Sequence, residues 1–67
     1  MIEITVNGEP RQVEEPLTIS YLLARFGIHE RMVVVEYNGE IVARASLSDI
    51  VLSAADRLEI VQMMAGG

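Results

Sequence analysis

At 67 residues with a formal net charge of −5, the chain holds one domain and is too small for the large buried pocket most enzymes need. It has no cysteine and one histidine, which excludes disulfides and the usual structural zinc sites, so a core drawn from its 51% apolar residues must hold it together. Arg11, Arg25, Arg31, Arg44 and Arg57 are scattered among ten carboxylates and there is no lysine, a balance that speaks against nucleic acid and anionic membrane surfaces as partners.

From the N-terminus, Ile2, Ile4 and Val6 alternate with Glu3, Thr5 and Asn7, the period of a half-buried strand. Asn7-Gly8 then predicts a two-residue hairpin turn, because both residues tolerate positive φ, with Arg11 to Glu14 returning as an antiparallel partner. Glu14-Glu15-Pro16 ends that strand, since proline has no amide to give a ladder. Thr18 is the expected cap of a helix whose face is Ile19, Leu22, Leu23 and Phe26, and Gly27 is its expected left-handed stop.

Ile28 to Arg31 reads as a connector. The β-branched run Val33-Val34-Val35 continues through Glu36 and Tyr37 to a second hairpin signal, Asn38-Gly39, with Ile41-Val42-Ala43 returning. Leu47, Ile50 and Leu52 are spaced for a short helical turn or an irregular crossover. Arg57 to Met63 alternates as a last strand, with Leu58, Ile60 and Gln62 on one face. The order is ββαβββ, an α+β domain over residues 1–63, followed by a flexible tail at 64–67. Leaving glycine out of the count, no uninterrupted apolar run exceeds four residues, against the ~20 that span a bilayer. The N-terminus also lacks the pattern of a targeting peptide, so a soluble cytoplasmic protein is expected.

One helix covers one face of a sheet, so Ile2, Ile4, Val6, Ile19, Leu22, Leu23, Phe26, Leu58 and Ile60 are the expected core. Val61 and Met63, out of phase with it, fall on the open face. Little else carries chemistry. Glu14 and Glu15, as neighbours in an extended segment, point to opposite sides, and His29 lies in a polar connector with no serine-aspartate or cysteine arrangement to enlist it. A Walker-type phosphate loop needs a lysine that this chain lacks. What remains is the ending, Gly66-Gly67. A residue without a side chain lets backbone and carboxylate enter a narrow slot. Met64 to Gly67 reaches roughly 13 Å when extended, and the terminal carboxylate, with a reference pKa of about 3.3 to 3.7, is ionised at neutral pH and able to attack an activated phosphate.

The pieces Ile4-Thr5-Val6-Asn7-Gly8-Glu9, Thr18-Ile19 with Leu22-Leu23, Val35 through Val42 with its Asn38-Gly39 turn, Asp56-Arg57-Leu58-Glu59-Ile60-Val61 and the final Gly66-Gly67 cover nearly the whole chain. In this order they resemble the ubiquitin-like β-grasp sulfur carriers, most of all the small carrier family of thiamine biosynthesis. That resemblance implies a β-grasp fold, a mixed sheet of about five strands packed on one helix. It implies a protein cosubstrate with no catalytic residue, metal or bound cofactor of its own. A partner enzyme using ATP and magnesium would adenylate the carboxylate of Gly67, and a cysteine desulfurase or other sulfurtransferase would supply sulfur to make a thiocarboxylate. Thiazole synthase would receive it. Gly66 would be the slot-fitting neighbour of Gly67, with Val61, Met63, Met64 and Ala65 as partner contacts.

The chain departs from the family pattern at Ala65 and Ala55, where glycines are common. Other readings compatible with the residues are a carrier resembling the small subunit of molybdopterin synthase or those of tRNA thiolation, a ubiquitin-like protein modifier, and a binding module that uses the open sheet face.

Overall fold

The structure is a computed structural model that describes residues 1–63; the expectations for Met64, Ala65, Gly66 and Gly67 lie outside the described residues. Five strands and one helix follow the chain as β1 (Ile2–Val6), β2 (Glu9–Val13), α1 (Ile19–Arg25), β3 (Val33–Tyr37), β4 (Glu40–Val42) and β5 (Arg57–Gln62), with 3-10 turns at Glu30–Met32 and Arg44–Ser46. The sheet order is β2-β1-β5-β3-β4. β1 and β5 run parallel, whereas the β1–β2, β3–β4 and β3–β5 pairs are antiparallel, so the sheet is mixed and β5 lies at its centre.

Local chemistry accounts for the element ends. Asn7 and Asn38 take φ of 50° and 49°, the left-handed conformation that a hairpin turn of this kind demands and that asparagine accepts more readily than most residues. The Thr18 hydroxyl accepts from the Tyr21 N–H and caps α1. At the other end Gly27 has φ +73°; its N–H donates to the Ala24 carbonyl, and the Ile28 N–H donates to the Leu23 carbonyl at 2.8 Å. That pair of bonds is a Schellman motif, and it turns Ile28 back against the core.

Ile4, Ile19, Leu22, Leu23, Val35 and Leu58 are almost wholly buried between helix and sheet. Leu47 and Leu52, from the crossover, close the same core together with Val13 and Leu17. The structure corrects the expected core at Phe26, which is 36% exposed. α1 ends at Arg25, so Phe26 is the cap residue and falls beyond the part of the sheet that the two-turn helix covers. Its ring lies under the Arg11 guanidinium, 5.1 Å from ring centre to the guanidinium carbon. Ile60, also expected in the core, is half-buried and packs against it.

Three boundaries shift by one or two residues. β2 begins at Glu9 and includes Pro10, which an edge strand tolerates; β4 begins at Glu40; and β5 ends at Gln62, with the Met63 N–H still donating to the Met32 carbonyl. The Ile28–Arg31 connector runs into the first 3-10 turn, where His29 Nδ1 accepts from the Arg31 N–H.

Candidate functional site at the end of the central strand

β5 is held at both ends by the side chains of the hairpin asparagines. Asn38 Oδ1 accepts from the Arg57 N–H at 2.8 Å, at the start of the strand. Near its end Asn7 Oδ1 accepts from the Ile60 N–H at 2.7 Å, while Asn7 Nδ2 donates to the Ile60 carbonyl at 3.3 Å. Backbone pairing between β1 and β5 covers only Thr5 with Arg57 and Val6 with Leu58, so the Asn7 amide acts as a strand surrogate where β1 has run out. Sequence reasoning assigned both asparagines to turns alone. Their second role depends on residues roughly twenty to fifty positions away, for which a single sequence carries no signal.

The entry to β5 is fixed by Asp56, the one buried charged group among the described residues. Its carboxylate accepts from the Ser53 N–H at 2.8 Å, the Tyr37 hydroxyl at 2.8 Å and Asn38 Nδ2 at 3.1 Å. Burial alone would favour the neutral acid, but these three donors outweigh it and hold the carboxyl below its ordinary pKa. The same hydrogen bond, with burial and the nearby negative charge, raises the pKa of Tyr37. Ala55, one residue earlier, has φ +71°, the conformation a glycine takes without strain.

Two different surfaces flank the last residues of β5. On the open face Val61 is 54% exposed and Met63 40% exposed, and Val61 is in direct register with Val34 of β3. Ile41, 72% exposed, shares that face because it stands in register with Glu36, two residues along from Val34. The sequence reading singled out Val61 and Met63; it missed Ile41 and Val34, whose phase depends on strand register. On the helix side lies a groove of about 440 Å³ bounded by Phe26, Ile28, Val33, Ile60 and Gln62, with Glu9 and Arg11 at the rim. Among the described residues no group of three or more histidine, aspartate or glutamate side chains is placed to hold a metal ion. No helix there is long and apolar enough to cross a membrane. The geometry supplies a central strand, β5, with an apolar face on one side of its last residues and a groove on the other.

The model of the ThiS family matches residues 4–67. The chain belongs to the ThiS family. The crystal structure of thiamine biosynthesis protein ThiS from Geobacter metallireducens superposes on this ThiS-family chain with a TM-score of 0.84 at 32% identity, covering 98% of this chain and all of that one. The same protein's solution structure gives a TM-score of 0.81. This agreement places the chain among the ubiquitin-like β-grasp folds. Among curated proteins, a thiazole synthase of Paramagnetospirillum magneticum is 36% identical over 66 residues, and one of Magnetococcus marinus is 35% identical over the same length. The chain spans about a fifth of the length of those synthases.

Proposed function

We propose that this chain is the sulfur carrier for thiazole formation in thiamine biosynthesis. The observation that carries the reading is the family match, which runs through to Gly67 and so includes the Gly66-Gly67 ending on which the chemistry would occur. The terminal carboxylate attacks the α-phosphate of ATP in the active site of an adenylating enzyme, with magnesium, and pyrophosphate leaves. Carboxylates need this step because hydroxide is a poor leaving group and AMP a good one. Persulfide sulfur delivered by a cysteine desulfurase or another sulfurtransferase then displaces AMP to give an acyl disulfide. A thiol of the partner attacks the outer sulfur, releasing the thiocarboxylate on Gly67 and leaving a disulfide on the partner side. The likeness to thiazole synthases supports thiazole synthase as the acceptor. The chain is a protein cosubstrate in the cytoplasm, not a catalyst. ATP, magnesium and the catalytic groups belong to the partners, and neither nucleic acid nor membrane enters the cycle.

Val61, Met63, Met64 and Ala65 contact the partners around the Gly66-Gly67 ending in this reading. Exposed apolar side chains beside the last strand support that for Val61 and Met63. The test uses the missing cysteines. The protein is isolated from cells with an intact sulfur pathway, treated with a thiol-directed alkylating reagent and analysed by intact and C-terminal-fragment mass. The expected result is one label on Gly67 that is absent from a Gly67-deleted control. The fragment masses matter because sulfur in place of oxygen adds nearly the same mass as one methionine sulfoxide, and the chain has four methionines. An unlabelled protein, even after incubation with the adenylating enzyme, ATP and a sulfur donor, would overturn the reading.

A further inference from the structure

Ile60 turns its N–H and C=O toward β1, where the Asn7 amide holds both. Backbone groups alternate sides along a strand, so Gln62 turns its own N–H and C=O the same way, while Val61 and Met63 face β3. The bond from the Met63 N–H to the Met32 carbonyl, 2.8 Å, fixes that phase. Among the described residues no strand lies on the β1 side of Gln62, because β1 ends at Val6 and the chain turns away through Asn7-Gly8 into β2. Among the described residues neither backbone group of Gln62 has a hydrogen-bond partner. β5 is central in the sheet and yet carries a short open edge at its C-terminal end. That edge gives onto the 440 Å³ groove walled by Phe26, Ile28, Val33 and Ile60.

We propose that this half-edge receives an extended segment of the adenylating enzyme, which adds beside Gln62 as a local strand and seats one apolar side chain against Phe26 and Ile28. The inference rests on the carrier reading. Four residues separate Met63 from the terminal carboxylate, a span of at most about 14 Å, so an active site working on Gly67 must bring its own backbone to the region of Gln62. The backbone there favours an extended occupant over a helix. A donor and an acceptor presented side by side match the edge of another strand, whereas the backbone groups of a helix are already used within it. The Asn7 amide makes that same pair of bonds to Ile60 two residues earlier, so the incoming segment extends a ladder already begun. The groove floor is apolar and its rim carries Glu9 and Arg11, which selects a segment with an apolar residue inward and polar neighbours outward.

Two measurements with the full chain test this. Amide hydrogen exchange of the 15N-labelled protein, free and saturated with the adenylating enzyme of the same organism, reads the Gln62 N–H directly; slowing of tenfold or more on complex formation is expected. Gln62→Pro removes an N–H that has no partner among the described residues and leaves the bonds of Val61 and Met63 to the β3 side intact. It is expected to raise KM for the chain in ATP–pyrophosphate exchange about five- to tenfold, the loss of one well-formed hydrogen bond, with kcat little changed. A Gln62 amide that exchanges as fast in the complex as in the free chain would overturn the proposal, as would a folded Gln62→Pro variant with unchanged KM. The exchange measurement uses the wild-type chain and so stands whatever the variant does. A wild-type chain that supports no ATP–pyrophosphate exchange at all would overturn the carrier reading itself, and strand addition with it.

Discussion

Ala55 and Asp56 are adjacent residues with opposite effects on stability. Ala55 sits at φ +71°, where a Cβ crowds the following carbonyl at a cost of about 1–2 kcal/mol. Glycine removes that strain but makes the unfolded chain more flexible, which costs about 0.4–1 kcal/mol. Relief of strain outweighs the added flexibility, so Ala55→Gly should stabilise the fold by about 0.5–1 kcal/mol, read as a higher urea midpoint at unchanged m-value. Asp56 gives the fold a pH dependence. Its folded pKa lies below the ordinary value, so its stabilisation is complete above the unfolded pKa of about 3.9 and drains away as pH falls toward the folded value. Tyr37 acts at the other limit: with its pKa raised above 10.0, its contribution is complete below that value and is lost as pH rises through the folded pKa. Chemical denaturation across pH should therefore give a plateau between about pH 4 and 10. In Asp56→Asn both flanks should flatten at these limits, and persistence of the wild-type profile in that variant would remove Asp56 as the cause.

At the scale of elements, the hairpin asparagines join local turn chemistry to long-range pairing. Asn7→Gly separates the two, because glycine keeps the positive φ of the turn and deletes only the bonds to Ile60. The variant should lose about 1 kcal/mol, as befits two neutral bonds at an exposed site, and the Ile60 amide should exchange faster while Val61, bonded to β3, keeps its protection. Equal loss of protection at both residues would mean that β5 frays as a unit and that Asn7 is no clamp. The same distinction separates what was legible in the sequence from what was not. The alternation of Ile2, Ile4 and Val6, the Asn-Gly pairs and the Thr18-to-Gly27 frame are set within a few residues, and each gave its element. The parallel pairing of β1 with β5 joins residues about fifty positions apart, and neither strand encodes its partner. Hence Asn7 reads as a turn residue, Ile41 and Val34 do not announce that they share a face with Val61, and the groove at Gln62 is invisible. Phe26 has the right spacing for the core, and only the length of α1 decides that it falls outside.

For the molecule as a whole, the two faces of one sheet differ sharply in burial. Leu58 and Val61 lie three residues apart on β5, yet Leu58 is 1% exposed and Val61 54%. Leu58→Ala opens a cavity in the core and should cost about 2–5 kcal/mol. A domain of this size has roughly 3–10 kcal/mol in total, so much of that variant should be unfolded at 37 °C. Ile41→Thr/Val61→Thr keeps β-branched side chains at exposed sites and should change stability by less than about 1 kcal/mol. If the open face meets the adenylating enzyme, this double variant removes apolar contact worth about 1 kcal/mol per residue and should raise KM for the chain roughly tenfold or more at unchanged melting temperature. Leu58→Ala should behave in the opposite way. Its apparent activity should fall only in proportion to the unfolded fraction and recover on cooling toward the temperature of maximum stability, because the face presented by the molecules that remain folded is unaltered. A double open-face variant with wild-type KM would leave the partner to the groove side of β5 alone, where the Gln62 amide then becomes the only part of the last strand that its docking should protect.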